Sequence, residues 1–250
     1  MNQTQIQNKI NQYIVPLSNT RTKFINRINR QNFIKNSFRN LHDRLMNNNM
    51  TNIKIIDKLC VAFEELHQHL KKISTIHIEN NIEGETIKFE IQLLHNENKF
   101  YANITISLID KIVYIEDLQN DTSMKSMIYY PFLFINYILS ILFDYDLDNM
   151  LEFQIKLKAV PLMRAATNKN ISTNNRKLYE YYESFGFVPV KNSVQQNRLM
   201  GIVGNYQFIE YYINYSKFIV QLYYLILRFA ENNRGSFASF ATSSRSNSNS

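Results

Sequence analysis

The chain has 250 residues and is 45% hydrophobic, which is enough to bury a core and excludes a wholly disordered protein. Its net charge of +7 comes from residues 1–50, which carry eight basic side chains and one acidic, whereas the other 200 residues carry 20 of each sign. Cys60 is the only cysteine, so a disulfide framework is excluded and a reducing compartment, the cytoplasm, is expected.

Composition also indicates the kind of genome. Asn, Ile, Lys and Tyr are heavily used, and Trp is absent. This bias is typical of an AT-rich genome, such as that of a large DNA virus or a protist. For a viral protein, the expected location is the host cytoplasm or the virion.

Residues 1–50 are predicted to form a basic, helical N-terminal extension. A helix is expected from Thr22 to Met46, with its arginines on the face opposite an apolar stripe. The basic face can bind a polyanion or nucleic acid through residues 21–44, or it can be a solvated face of a helix packed on the body. The first 20 residues lack the apolar region of a signal peptide.

Residues 51–204 are predicted to form the main domain, which begins with a helix from about Ile53 to Lys72. Cys60 lies on the apolar face of this helix, so we interpret it as a core thiol. His67 and His69 are two residues apart and therefore lie on different sides of the helix. We expect no metal site.

The apolar period then changes from 3.6 to 2, which predicts an antiparallel meander. Its strands are Thr86–Leu94, Lys99–Leu108 and Ile112–Leu118. Because Glu116 and Asp117 are adjacent, they are expected to point to opposite faces of the third strand. One of them can reach a cleft as a general base, or both are solvated carboxylates at a strand end.

A helix apolar over most of its circumference is predicted at Pro131–Tyr145, followed by a strand at Glu152–Val160 that lies parallel to Ile112–Leu118. The uncharged run Ser126–Phe143 is 18 residues long, at the lower limit of a membrane span. Its tyrosines and its flanking strands favour a buried helix instead, and no transmembrane span is expected.

A sheet covers only one side of such a helix, so a second apolar helix must cover the other. Tyr206–Ala230, within residues 205–231, is predicted to be that helix, packing on the first within one chain or across a homodimer. Residues 232–250 are rich in Ser and Asn, and the sequence predicts a disordered tail.

The stretch from Asn175 to Phe187 carries the most distinctive pattern. Its apolar residues recur at helical spacing, and Gly186 follows the last of them, where a helix commonly ends in a left-handed residue. A closing hairpin of Val188–Lys191 and Arg198–Val203 is predicted to follow.

The order of side chains in this stretch resembles the C-terminal signature of the GNAT superfamily of acyl-CoA-dependent N-acyltransferases. The matching residues are Asn175, Lys177, Tyr181, Tyr182, Glu183, Gly186 and Phe187. The resemblance implies an α/β (α+β) fold with a mixed, mostly antiparallel sheet. A central parallel strand pair would splay apart, and helices would flank the sheet, with N- and C-terminal helical extensions in this chain.

The resemblance also implies acetyl-CoA as the cofactor and an amine as the acceptor. Tyr182 would be the acid for the departing thiolate and Glu116 the base. Leu118 and Gln119 would lie along the pantetheine arm, and Asn175 would contact the cofactor.

The pyrophosphate loop departs from the family pattern, because the family has a glycine-rich loop and residues 120–130 contain no glycine. Lys125 and Ser126 are the residues of this stretch that can contact phosphate. Two functions therefore remain open. One is an N-acetyltransferase, and the other is a catalytically inactive GNAT-like structural or interaction module.

Overall fold

The computed structural model describes residues 1–15, 61–62, 66, 75–95, 98–120, 129–159, 179–190, 195–197 and 206–243. The predicted basic helix at 22–46 and most of the predicted helix at 53–72 lie outside these residues. Within the latter, residues 61, 62 and 66 are helical, as predicted.

The first half of the sheet is an antiparallel meander of four strands. They are β1 (Thr75–Glu83), β2 (Thr86–His95), β3 (Asn98–Ser107) and β4 (Ile112–Asn120). The predicted strands are confirmed to within a few residues, and β1 is additional. A two-residue turn joins β1 to β2, with Gly84 at a φ of +64°, a conformation that glycine adopts without strain.

The second half of the sheet contains the parallel pair. β5 (Gln154–Ala159) lies parallel to β4, as predicted, and β8 (Tyr206–Asn214) lies antiparallel to β5. Two short strands, β6 (Val188–Pro189) and β7 (Gln195–Asn197), both pair with β8. The order is β1-β2-β3-β4-β5-β8-β6, with β7 off this path, so the fold is a mixed, mostly antiparallel sheet with helices, as expected.

Helices cover one face of this sheet. They are α1 (Gln3–Tyr13), α2 (Tyr129–Leu142), α3 (Leu147–Leu151), α4 (residues 179–184) and α5 (Tyr215–Ser243). In-register pairing places a continuous row of buried apolar side chains on the covered face, namely Ile87, Ile106, Val113, Ile155 and Ile213. The alternate residues of each strand lie on the other face and are mostly polar.

Helix α2 lies between the sheet and the other helices. Phe134 contacts Phe89 of β2 at a ring distance of 5.2 Å, and Phe132 contacts Phe218 of α5 at 5.3 Å. Leu222 and Ile226 of α5 are fully buried. The predicted contact between the two apolar helices is therefore confirmed, within one chain. Among the described residues, no helix is long and apolar enough to cross a membrane.

The prediction of one helix over Tyr206–Ala230 was wrong for its first nine residues, which form β8. Tyr211 and Ile213 are two residues apart, and both face the core, opposite Leu157 and Ile155 of β5. This period of 2 is that of a strand. Helix α5 begins at Tyr215 and continues to Ser243, into the segment predicted to be disordered. Extending a formed helix requires no new nucleation.

The closing hairpin also differs from the prediction. β6 pairs with β8, and Val188 lies opposite Tyr212. Residues 195–197, predicted as part of the turn, form β7 instead. Arg198–Val203 lies outside the described residues.

Candidate functional site

The parallel strands β4 and β5 separate and leave a cleft between them. Their pairing runs from Ile112 opposite Gln154 to Ile115 opposite Leu157 and ends there. Beyond that point β4 continues along β3, and β5 continues along β8. The resulting cleft has a volume of about 480 Å³ and is lined by Asn103, Ile115, Glu116, Asp117, Leu118, Gln119, Leu157, Lys158 and Tyr182.

A β-bulge in β4 lies at the mouth of this cleft. Ile104 of β3 faces Ile115, whereas the preceding Asn103 faces Asp117, so Glu116 is an extra residue in β4. A bulge adds local twist to a strand, which suits the point where β4 turns away from β5.

The bulge also corrects the prediction that Glu116 and Asp117 point to opposite faces. Asp117 shares its face with Asn103, on the side away from the buried core. The Glu116 carboxylate lies on the same side, where it accepts a hydrogen bond of 2.6 Å from Thr105 Oγ1. The extra residue shifts the alternation by one, so both carboxylates lie on the polar face.

The splay leaves backbone groups of β4 directed at the cleft. Beyond Ile115, every second N–H and C=O group of β4 points away from β3 toward the space that β5 has left. An extended ligand can form hydrogen bonds with such an open strand edge. The cleft volume is in the range of small-molecule sites.

Tyr182 is placed at the cleft by the end of α4. Gly186 ends this helix with a φ of +83°, as predicted, and a Cβ there would meet Ile213 Cδ1 at 3.2 Å. The Tyr182 ring packs against Phe187 and Tyr211, with centroid distances of 6.2 and 6.1 Å. The C-terminal end of α4 and its glycine therefore fix the position of the tyrosine.

The environment of Tyr182 keeps its hydroxyl protonated. Its side chain is only 5% exposed. Burial, and secondarily the negative charge of Asp117, raise its pKa to about 12. At neutral pH the hydroxyl is therefore a hydrogen-bond donor that borders the cleft.

The neighbouring Tyr181 differs in position and surroundings. Its ring packs on Tyr182 and Phe185 at 5.5 and 5.2 Å. Its hydroxyl is buried and has no hydrogen-bond partner among the described residues. Burial raises the pKa of this tyrosine as well. Unlike Tyr182, it does not line the cleft.

The structure brings together four of the residues predicted from the sequence, because Tyr182, Glu116, Leu118 and Gln119 line one cleft. Glu116 is exposed, and Asp117 accepts a 3.1 Å hydrogen bond from Gln119 Nε2.

The other predicted contacts, Lys125, Ser126 and Asn175, lie outside the described residues. Sequence reasoning missed Asn103 and Lys158, which reach the cleft only because β3 and β5 pair with opposite edges of β4. Where the chain is described, it contains no group of three or more His, Cys, Asp or Glu side chains that could hold a metal ion.

Comparisons of the chain with protein-family models, with curated proteins and with solved structures gave no match.

Proposed function

We propose that the protein is an N-acetyltransferase that transfers an acetyl group from acetyl-CoA to an amine. The observation that carries the proposal is the cleft between the splayed strands β4 and β5, with Tyr182 on its wall. This is the position at which the sequence resemblance places the pantetheine arm. The resemblance and the cleft are independent observations, since the signature is a sequence pattern at residues 175–187 and the splay belongs to β4 and β5.

In this proposal, residues of β4 bind and activate the reactants. Leu118 and Gln119 lie along the open strand edge, where backbone N–H groups can hold the pantetheine arm and polarise the thioester carbonyl. Glu116 accepts the proton that the acceptor ammonium must lose before its nitrogen attacks. A carbon–nitrogen bond then forms, the carbon–sulfur bond breaks, and the sulfur leaves with the electron pair. The nitrogen loses its second proton to solvent, and the thiolate takes up a proton to leave as the thiol.

Tyr182 stabilises the departing sulfur. A thiol has a pKa of about 8.5, so full proton transfer from a hydroxyl with a pKa of about 12 to a thiolate is uphill by roughly 5 kcal/mol. We therefore assign to Tyr182 a hydrogen bond to the developing thiolate. Proton transfer follows to the extent that the same burial raises the pKa of the thiol.

Replacing Tyr182 tests this role, and the chain offers a matched control. Tyr182→Phe keeps the ring contacts and is expected to lower the rate of thiol release from acetyl-CoA, in the presence of a panel of amines, by ~10²–10³-fold, as for the loss of one donor to a developing anion. Acetyl-CoA affinity should change little. Tyr181→Phe removes a buried hydroxyl one residue away that does not line the cleft, and it should keep the rate. Equal rates for the two variants would show that Tyr182 is only a core residue.

The second candidate is a catalytically inactive GNAT-like module. It is favoured by one observation, the absence of glycine from residues 120–130. Such a module would act through another surface, and residues 21–44 are the proposed contact with a polyanion. The two candidates differ in one measurable property, because only the enzyme requires the cleft to bind acetyl-CoA.

A further inference from the structure

A row of polar side chains crosses the face of the sheet opposite the described helices and ends at the cleft. Strand pairing places Glu79 of β1 opposite Glu90 of β2, Glu90 opposite Asn103 of β3, and Asn103 opposite Asp117 of β4. Adjacent strands are ~4.8 Å apart, so the row extends for ~14 Å from the outer strand to the mouth of the cleft. We call these four residues the acidic row.

Two carboxylates of the acidic row repel each other. Glu79 and Glu90 are directly opposite each other on one face, and like charges in that arrangement destabilise a sheet. His77 Nε2 lies 2.7 Å from the Glu79 carboxylate, and Glu90 accepts a 2.6 Å hydrogen bond from Gln92 Nε2. Lys88 pairs with Glu83 at 3.2 Å. The row thus has three carboxylates, none of which forms an ion pair with a lysine of the described residues.

The charge of the whole meander has the same sign. Residues 75–120 carry eight carboxylates and three lysines, a net of −5 in a chain whose total is +7. Opposite potentials in different parts of one chain attract different partners. The potential over the first four strands attracts cations.

Two cavities connect the row to the candidate catalytic residues. A cavity of about 280 Å³ is lined by Glu79, Glu90 and Asn103, with Lys88 as its one cationic side chain, and it shares Asn103 and Glu116 with the cleft. Tyr182 lies at the other end of the cleft, where its side chain is nearly fully buried. The negative charge of Asp117 contributes to the raised pKa of this tyrosine. The side chains of the row thus form a path along the sheet that ends beside a buried hydroxyl.

Tyr101 borders this path on the same face. It lies opposite Gln119, one row away from Asn103, and its hydroxyl is close enough to interact with Glu90 and Asn103. Burial raises the pKa of Tyr101, with Glu90 and Asp117 adding to the effect. A neutral aromatic ring beside carboxylates offers a face to an ammonium group.

We propose that the acidic row binds a linear diamine or polyamine and delivers one of its nitrogens to the cleft. Glu79 and Glu90 hold the distal ammonium group, and the proximal nitrogen lies near Glu116 and Asp117. The role as acetyl acceptor rests on the proposed function, whereas binding of the amine does not. A monoamine can occupy only one end of the path, so the carboxylates at the other end do not add to its affinity.

The experiment compares 1,8-diaminooctane with 1-aminooctane, which differ by the second ammonium group. The nitrogens of the extended diamine are ~11 Å apart, enough to join the two ends of the path across two to three strand spacings. Binding to the full-length protein is measured by calorimetry at low salt and without acetyl-CoA. The diamine is expected to bind about tenfold or more tightly than the monoamine, since a hydrogen bond between charged groups contributes that much. In Glu79→Gln/Glu90→Gln this preference should disappear.

Glu85→Gln is the matched control, because it removes the same charge from the turn between β1 and β2, outside the cavity. It should retain the preference for the diamine. Since the Gln substitutions relieve a like-charge pair, the double variant should also be at least as stable as the natural protein. Circular dichroism during heating checks this.

Equal binding of the two amines by the natural protein would overturn the proposal, and so would a preference that survives in the double variant. A separate titration with acetyl-CoA distinguishes this failure from that of the proposed function. Acetyl-CoA binding without the diamine preference would refute the acidic row alone. The diamine preference without acetyl-CoA binding would support the row as a cation site and refute its role in acetyl transfer.

Discussion

The buried hydrogen bond between α2 and α5 allows a quantitative test of the fold. Asn136 is the one amide on the buried length of α2 and is 2% exposed. Its Oδ1 accepts a hydrogen bond of 2.5 Å from the Tyr215 hydroxyl, and its Nδ2 lies 3.5 Å from the Tyr223 hydroxyl. The second distance is at the limit for a hydrogen bond, so the contact with Tyr215 is expected to dominate.

The perturbation is a double-mutant cycle of Asn136→Leu and Tyr215→Phe. Each single substitution leaves a buried polar group without this partner, which costs ~1–3 kcal/mol of unfolding free energy. The double variant removes both groups and should cost much less than the sum, because replacing both partners by apolar groups is nearly neutral. The expected coupling energy is therefore ~1–3 kcal/mol.

Urea denaturation followed by circular dichroism measures the four free energies. Tyr224→Phe is the control, since this tyrosine is on the same helix and 39% exposed, and its effect should stay within ~0.5 kcal/mol. Additive losses in the cycle would refute the reasoning. They would mean that α2 and α5 do not meet at Asn136 and Tyr215 in solution.

Two further predictions concern pH and charge. Burial raises the pKa of Tyr182 from about 10 to about 12, so the stability it contributes is complete below pH ~10 and is lost as the pH rises toward 12. The effect amounts to ~3 kcal/mol, so the urea midpoint of Tyr182→Phe should fall less across this range than that of the natural protein. An equal fall in both proteins would show that the tyrosine is not buried. For the basic extension, replacing the arginines of residues 21–44 by glutamine should abolish retention on heparin at moderate salt. Substitution is preferable to deletion of residues 1–46, because α1 buries Ile6 and Ile10 in the core. Unchanged retention of the variant would exclude residues 21–44 as the polyanion site.

The elements with a clear period could be predicted from the sequence. Strands β2 and β3 alternate apolar and polar residues almost without interruption, and α2 is apolar on nearly every side. The parallel pairing of β4 and β5 followed from the helix between them. These patterns indicate whether a segment is a helix or a strand and which strand it pairs with, because each pattern is set by the face that must be buried.

Ambiguous periods explain the errors. Phe208 and Tyr212 fit a helical stripe with the residues of α5, but Tyr211 and Ile213 fit a strand, and only the pairing with β5 decides. In β1, the polar Asn80 lies at a core-facing position opposite Phe89, so the sequence of this strand lacks a regular apolar alternation. Both cases depend on partners distant in sequence.

The bulge in β4 could have been predicted from the spacing of the apolar residues in this strand. Val113 and Ile115 are two residues apart and face the core, but the next inward apolar residue is Leu118, three further on. That odd spacing indicates one extra residue, and it places both Glu116 and Asp117 on the polar face. The acidic row, by contrast, requires the register of four strands, which no local pattern contains.

The most direct test of the central proposal is binding of acetyl-CoA to the purified, full-length protein. Binding to the folded state alone adds ~2.7 kcal/mol of stability at a ligand concentration 100-fold above the Kd. For a chain of this size, that corresponds to a rise in Tm of roughly 5–10 °C. The account predicts this saturable rise, together with one coenzyme A per chain in native mass spectrometry. No change in Tm at millimolar acetyl-CoA, and no bound coenzyme A, would contradict it and favour the inactive module.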